Sequence, residues 1–309
     1  KNRLKININN QLIYVALATI ADVMPLRENN RFILKKIVEN FDINKDLFLN
    51  TLFKLNNLNK KLDYEDLAYI VAPTINSAGR ISNANIVVEL LTTSNKMRIK
   101  KITNDLFAFN LKRKKIEKIA MKKFEYEKFE NNKGIIFYLG NNIPEGIIGI
   151  IASKLKEYYN KPTIVFSQYG NLLKGSARSI PSFNISQYIN LAIEKNILIS
   201  GGGHNLAAGM SLKKMNLNIF KNFLNQNYFK KEKSESNKYF SKISFTSLNF
   251  HLLNELNKFE PFGNQNNKII FLIEKVRIIK PMIIKDKFIS CFIKTKMNKL
   301  IKAISFNHI

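Results

Sequence analysis

Apolar and polar positions alternate along this chain in two distinct ways. The first 130 residues carry mostly helical spacing. An unbroken apolar run, Leu12 to Ile20, predicts a buried strand, and Pro25 ends the regular structure after it. Residues 30–59 carry helical spacing, with Phe32, Ile33, Ile37 and Phe41, then Leu47, Leu52 and Leu55, and Asp42 to Asp46 split them into two helices. Residues 64–72 predict a helix leading into a loop, Pro73 to Arg80, and 96–130 the longest helix, with Lys112 to Lys115 on a solvated face. A buried parallel strand needs neighbours on both sides. Little chain precedes Leu12, so the expectation is a fragment lacking a sizeable N-terminal part.

From residue 134 the period changes. Strands are predicted at 134–139, 162–167 and 174–179, and helices at 147–158, 185–195 and 215–228, with a glycine-rich turn from Ser200 to Ser211. Alternation of this kind predicts an α/β domain. Residues 229–238 are polar and read as a linker. Beyond them, short apolar runs at 243–245, 269–273, 276–279, 288–293 and 300–306 predict a small β-barrel.

Composition narrows the function classes. Fifty Lys and Arg against 23 Asp and Glu give a net charge of +27. Clustered cations of this number suit a polyanion, since they displace counterions condensed on nucleic acid. AT-rich coding, with Lys, Asn and Ile in excess, produces the same charge. One cysteine, Cys291, excludes an intramolecular disulfide and a cysteine-based zinc site. No run approaches the roughly 18 apolar residues of a membrane span, and no signal peptide opens the chain, so a cytoplasmic location is expected.

Four strings carry candidate chemistry. Asp22 ends the apolar run Ala18-Thr-Ile-Ala-Asp22-Val; a hard oxygen ligand there suits Mg²⁺ or Mn²⁺, and a turn residue or helix cap would look the same. In Lys174-Gly-Ser-Ala-Arg-Ser179, Ser176 and Arg178 project to one side of a strand and make a phosphate clamp, or an ordinary strand with a surface arginine. Gly201-Gly202-Gly203-His204, followed by Ala207-Ala-Gly209, offers backbone N–H groups and an imidazole to an anion, where a flexible loop is the plainer alternative. Asn76-Ser-Ala-Gly-Arg80 places an arginine among many lysines, as bidentate recognition of an anion requires.

In order and spacing these strings resemble the RecJ family of DHH phosphoesterases across nearly the whole chain. Ala18 to Val23 resembles the last metal-binding motif of that family, and Pro73 to Arg80 its Gly-Pro-Arg-x-Asn-Ala-Ala-Gly-Arg string. Glu145 to Leu155, Lys174 to Ser179 and Gly202 to Gly209 resemble motifs of the DHH-associated domain, and Phe259 to Gly263 the start of an OB-fold. Four positions depart from the pattern: Thr74 stands for an arginine, Ile143-Pro144 for Trp-His, and Ser182 for a glycine.

The resemblance implies an α/β protein in four parts: the end of a DHH catalytic domain at 1–29, a helical connector at 30–132, an α/β DHH-associated domain at 133–232 and an OB-fold β-barrel at 239–309. It implies a metal-dependent exonuclease that degrades single-stranded DNA from its 5′ end in repair and recombination. Two Mn²⁺ or Mg²⁺ ions would have Asp22 as a ligand, with the remaining ligands absent from this chain and the fragment inactive alone. Asn76, Arg80, Ser176 and Arg178 would hold the DNA backbone and its terminal phosphate, while Gly202, Gly203 and His204 line the nucleotide site. Phe262, Phe271, Phe288 and Phe292 would be available for stacking in the barrel. Single-strand binding protein and a helicase are implied partners. A phosphodiesterase acting on oligoribonucleotides or cyclic dinucleotides shares the central motifs but lacks the C-terminal barrel. A non-catalytic single-strand binder is the alternative from another class.

Overall fold

A computed structural model describes residues 12–126, 134–140, 143–229, 239–284, 288–294 and 300–306. Two compact units emerge: residues 1–21 with 38–234, and residues 22–37 with 235–309.

The helical half begins with α1 (Leu12–Ala21), where the apolar run predicts a strand. A short, wholly apolar run has no period to tell strand from buried helix. The burial does have one: Ile13, Ala16 and Leu17 are sealed at helical spacing, while Val15 is exposed. Helix-favouring alanines at 16, 18 and 21 tip the balance. Next come α2 (Glu28–Asn40) and α3 (Leu47–Leu55), separated at Asp42–Asp46 as the pattern predicts. Asp46 caps α3 through the Leu49 N–H (2.8 Å) and accepts from the Tyr14 hydroxyl of α1 (2.9 Å).

The predicted loop at 73–80 is helical instead. A short α4 (Tyr64–Asp66) runs through a π-turn (Leu67–Val71) into α5 (Ala72–Ile81). The widened turn, closed by the Ala72 N–H on the Leu67 carbonyl, lets the helix continue through Pro73, which has no N–H to offer. Two further helices complete this half, α6 (Asn85–Thr92) and the long α7 (Lys96–Tyr126).

The α/β half alternates β1 (Ile136–Gly140), α8 (Glu145–Tyr159), β2 (Thr163–Tyr169), β3 (Leu172–Arg178), α9 (Ile185–Glu194), β4 (Ser200–His204), β5 (Ala207–Lys213) and α10 (Leu217–Phe229). Strand order is β1-β2-β3-β5-β4; β1 and β2 are parallel and the other pairs antiparallel. The Ser200–Ser211 string is therefore a hairpin of two strands turning at Asn205-Leu206, and its glycines lie in strands rather than in a turn, Gly201 to Gly203 in the edge strand β4 and Gly209 in β5. Period two sorts the sheet into faces. One face buries Phe137, Ile164, Phe166, Leu173, Ala177, Met210 and Leu212 against α9 and α10. The opposite face is covered by α8, which lies over β2 and β3, with Ile136, Tyr138 and Val165 in one buried cluster with Ile147, Ile148 and Ile151. Past α8 this second face is exposed at Gly209 of β5 and at Gly202 and His204 of β4.

In the second unit, β6 (Ser241–Lys242) pairs in parallel with β7 (Phe271–Leu272), and α11 (Phe250–Asn257) lies between them in sequence. Three antiparallel strands follow in the order β10-β9-β8: β8 (Arg277–Ile284), β9 (Phe288–Lys294) and β10 (Leu300–Ser305). Pro281 lacks a ladder donor, and β8 bulges between Ile279 and Met282 to accommodate it. The segment after Asp22 belongs to this unit. The Leu26 N–H donates to the Asn264 carbonyl (2.8 Å), Asn264 donates to the Val23 carbonyl (2.8 Å), and Gly263 admits the Leu26 side chain where a Cβ would stand 2.7 Å away. The predicted linker, apart from Phe229 at the end of α10, lies outside the described residues. No helix among the described residues is long and apolar enough to cross a membrane.

Candidate phosphate-binding site

Two elements of the first unit, β3 and α5, converge on α8. From β3 come Ser176 and Arg178, two residues apart and so on one face. Arg178 Nη1 donates to Ser176 Oγ (3.1 Å) and to the Ala177 carbonyl (2.8 Å). From the end of α5 comes Arg80, whose Nη1 donates to the Gly146 carbonyl (2.8 Å).

Two glycines of α8 make this convergence possible. A Cβ at Gly146 would stand 2.7 Å from the Arg80 Cα, and one at Gly149 would stand 3.1 Å from both Arg178 Nη2 and Ser176 Oγ. Each guanidinium is thus fixed along one edge. Its remaining N–H groups have no partner among the described residues and are not sealed from solvent.

The electrostatics fit this geometry. Burial, then repulsion from Arg113 and Arg178, holds the Arg80 guanidinium below the ordinary arginine range, and Glu117 offsets part of the effect. Burial alone lowers Arg178. Both stay protonated at neutral pH, so their charge is present but poorly solvated. An anion placed against them relieves that penalty.

Beside these arginines the sheet forms a shelf. Pairing puts Ser176, Gly209 and Gly202 in one row across β3, β5 and β4, with Arg178, Ala207 and His204 in the next. A Cβ at Gly202 or Gly209 would meet nothing within 4 Å, and neither residue has a positive φ. Neither packing nor backbone strain among the described residues explains glycine at these two positions, and the strands there are left open to a close approach from outside. Gly203 faces the other way, where a Cβ would stand 2.2 Å from the Ala207 carbonyl oxygen, so its lack of a side chain serves the hairpin itself. His204 is exposed, and two strand spacings, roughly 10 Å, separate it from Arg178. Asn76 is exposed one turn before Arg80 on α5.

Sequence patterns passed over a second set of groups. Glu117 on α7 is 4% exposed and accepts from Arg113 Nη1 (3.2 Å) and from Lys154 of α8. Arg113 Nε donates to Asn110 Oδ1 (3.0 Å), and Asn110 Nδ2 donates to Thr74 Oγ1 (3.1 Å). The run Lys112–Lys115 hid these groups in what reads as a solvated face. The signal was the spacing of Asn110, Arg113 and Glu117, which share one side of a helix.

Asp22 is exposed in the turn after α1, so its predicted place at the end of a strand is corrected to the end of a helix. Among the described residues no three His, Cys, Asp or Glu side chains lie together in a metal-binding arrangement. Two-metal hydrolysis needs several oxygen or nitrogen ligands around the ions. A lone carboxylate does not fit that centre.

In the second unit, one face of the meander mixes aromatic and basic groups. Phe292 of β9 lies between Ile279 and Lys302, and Lys294 between Arg277 and Leu300. Phe288 and Phe306 pack edge to face at 5.5 Å. Phe271 lies elsewhere, edge-on to Phe240; Phe262 is half-buried.

Comparison with known proteins agrees with this layout. Residues 131–229 match the DHHA1 domain and residues 241–309 the RecJ OB domain. The chain is 32% identical over 236 residues to a single-stranded-DNA-specific exonuclease RecJ of Haemophilus influenzae, covering 71% of this chain and 40% of that protein. It is 30% identical over 226 residues to the Escherichia coli protein of the same name, covering 69% and 39%. It therefore spans about two-fifths of the length of these curated relatives. The crystal structure of RecJ from Thermus thermophilus in complex with Mg²⁺ superposes with a TM-score of 0.81 over 96% of this chain and 46% of that one, at 21% identity; that protein has also been solved with Mn²⁺. With a DHHA1 domain followed by a RecJ OB domain, the chain belongs to the RecJ family over the part of it that it spans.

Proposed function

We propose that this chain is the strand-holding part of a single-strand-specific 5′-to-3′ exodeoxyribonuclease acting in DNA repair and recombination. The supporting observation is the pair Arg80 and Arg178, each anchored along one edge and open along the other beside the shelf of Gly202 and Gly209. A forked guanidinium matches phosphate oxygens two at a time. Ser176 offers a hydroxyl beside Arg178, and the flat strands of Gly202, Gly203 and Gly209 let a sugar and base lie against the backbone. His204 reaches the nucleotide from the far strand and Asn76 the backbone near Arg80.

Phe288, Phe292, Lys294 and Lys302 of the second unit suit single-stranded DNA by stacking and charge, which every base accepts. That surface favours a DNA-length substrate over a cyclic dinucleotide. Mn²⁺ or Mg²⁺ is the hard ion suited to phosphodiester hydrolysis. Asp22 brings one oxygen donor toward it, too few for such a centre, so bond breaking is not assigned to the described residues. An enzyme confined to single strands needs its substrate unwound, which is why a helicase and single-strand binding protein accompany this reading. A free cysteine at 291 accords with a reducing cytoplasm.

Competition binding tests the reading. A 5′-phosphorylated single-stranded oligonucleotide is expected to compete better than its unphosphorylated twin, and Arg178→Ala to remove the difference. Equal competition by the two oligonucleotides against the unaltered chain refutes it.

A further inference from the structure

Charge within the arginine cluster does not balance. Arg80 lies within electrostatic reach of Arg113, Arg178 and a single buried carboxylate, Glu117, which Arg113 and Lys154 share. A terminal phosphate carries about two negative charges at neutral pH. Set against Arg80 and Arg178 it leaves one cation over, and an internucleotide phosphate carries the single charge that matches it.

Arg113 is built for such a contact. Its side chain is 11% exposed, with Nε held by Asn110 and Nη1 by Glu117. Nη2 makes no hydrogen bond among the described residues and is not sealed from solvent. Asn110 is in turn held by Thr74, whose hydroxyl donates to the Ile70 carbonyl (2.6 Å). A chain of hydrogen bonds running from α5 to α7 thus fixes the plane of one guanidinium and leaves one nitrogen to spare. A solvated surface arginine needs no such support.

The elements order these groups along α8. Gly146 seats Arg80, Gly149 seats Arg178, and Lys154 reaches Glu117 farther along the helix. Eight residues from 146 to 154 span about 12 Å, more than one phosphate covers.

We propose that Arg113 is a third phosphate-binding arginine of this site, taking the internucleotide phosphate next to the terminal one, and that Glu117 and Asn110 are the positioning residues that aim it. This rests on the reading of the Arg80–Arg178 pair as the terminal-phosphate site. The site then measures two consecutive phosphates and favours a dinucleotide end over a mononucleotide. A mononucleotide, lacking the second phosphate, is held less tightly and leaves.

Titration of the full 309-residue chain with thymidine 5′-monophosphate and with the 5′-phosphorylated thymidine dinucleotide separates the possibilities. Arg113→Gln is expected to weaken the dinucleotide roughly tenfold or more, the size of one charge-assisted hydrogen bond, and to leave the mononucleotide within about twofold. It is also expected to flatten the salt dependence of dinucleotide binding by about one phosphate contact, which a merely structural role does not do. Glu117→Gln makes the cluster more positive. If Glu117 acts only through its charge, binding tightens; if it aims Arg113, the dinucleotide binds more weakly.

Arg113→Lys keeps the charge but loses the fork, and carries the test should Arg113→Gln fail to fold. Equal weakening of both ligands by either Arg113 variant, or weakening of neither, overturns the proposal while Arg178→Ala still weakens both. If the unaltered chain prefers neither phosphorylated ligand over thymidine, the terminal-phosphate reading itself falls and takes this one with it.

Discussion

The surfaces beside the two larger sheets of this protein handle charge and apolar groups in opposite ways. Beside the α/β sheet Arg80, Arg113 and Arg178 are part-buried and each tied to a named acceptor, and the neighbouring strand surface carries Gly202 and Gly209. In the C-terminal meander large apolar groups stand in solvent: Phe292 is 37% exposed, Ile304 46% and Met282 59%. Convergent, desolvated, immobilised groups read one particular chemical group in one place. Exposed aromatics and lysines on an open sheet accept any base along a strand. On the proposed reading, the first region recognises an end and the second holds a length.

Changes that touch only one region sharpen the contrast. The largest effect is expected for Arg178→Ala. Losing its charge-assisted hydrogen bonds costs about 1.5–3 kcal/mol. In thermal melts, thymidine 5′-monophosphate should stabilise the unaltered chain by relieving the desolvated arginines, and this variant far less. An undiminished shift would break the end-reading account.

Next in size is a stability effect confined to the hairpin. Gly203→Ala should cost about 1–3 kcal/mol, because its Cβ meets the Ala207 carbonyl. Denaturant unfolding checks this.

Phe292→Ala should cost about 1 kcal/mol in binding oligonucleotides of ten or more residues, the low end for a stacked base. It should not alter mononucleotide affinity; a loss there would blur the two regions into one. Gly202→Ala sharpens the comparison from the other side. It should raise stability by about 0.4–1 kcal/mol through the unfolded chain and weaken nucleotide binding, since its Cβ enters the open shelf.

The smallest effect is with pH. Arginines do not titrate, whereas a phosphate monoester loses its second proton near pH 6. Affinity for the monophosphate should therefore rise severalfold from pH 5 to 7.5. A fall over that range would contradict an arginine pair as the main contact.

Much of this was legible before any coordinates. The strand period at 174–179 put Ser176 and Arg178 on one side, and the rarity of arginine singled out Arg80. Other features were hidden for physical reasons. Leu12–Ala21 is apolar nearly all round, so its period carries no information until burial shows which side is covered. Pro73 signals a break unless a π-turn precedes it, and no residue pattern announces that turn. The three glycines at 201–203 look alike in sequence, and only strand pairing shows that Gly202 faces open space while Gly203 faces its neighbour. Arg113 could have been found by the argument applied to Arg80, an arginine amid lysines with a carboxylate one turn away. Its charged neighbours masked it as ordinary solvated surface.

One comparison bears most directly on the central claim that an anchored arginine pair beside a glycine shelf receives the 5′ phosphate of a single strand. Two thymidine dinucleotides of equal charge, one phosphorylated at its 5′ end and the other at its 3′ end, should be titrated against the unaltered chain. The account predicts at least tenfold tighter binding of the 5′ isomer. Equal affinity would mean that the cluster attracts charge without reading an end, and would contradict it.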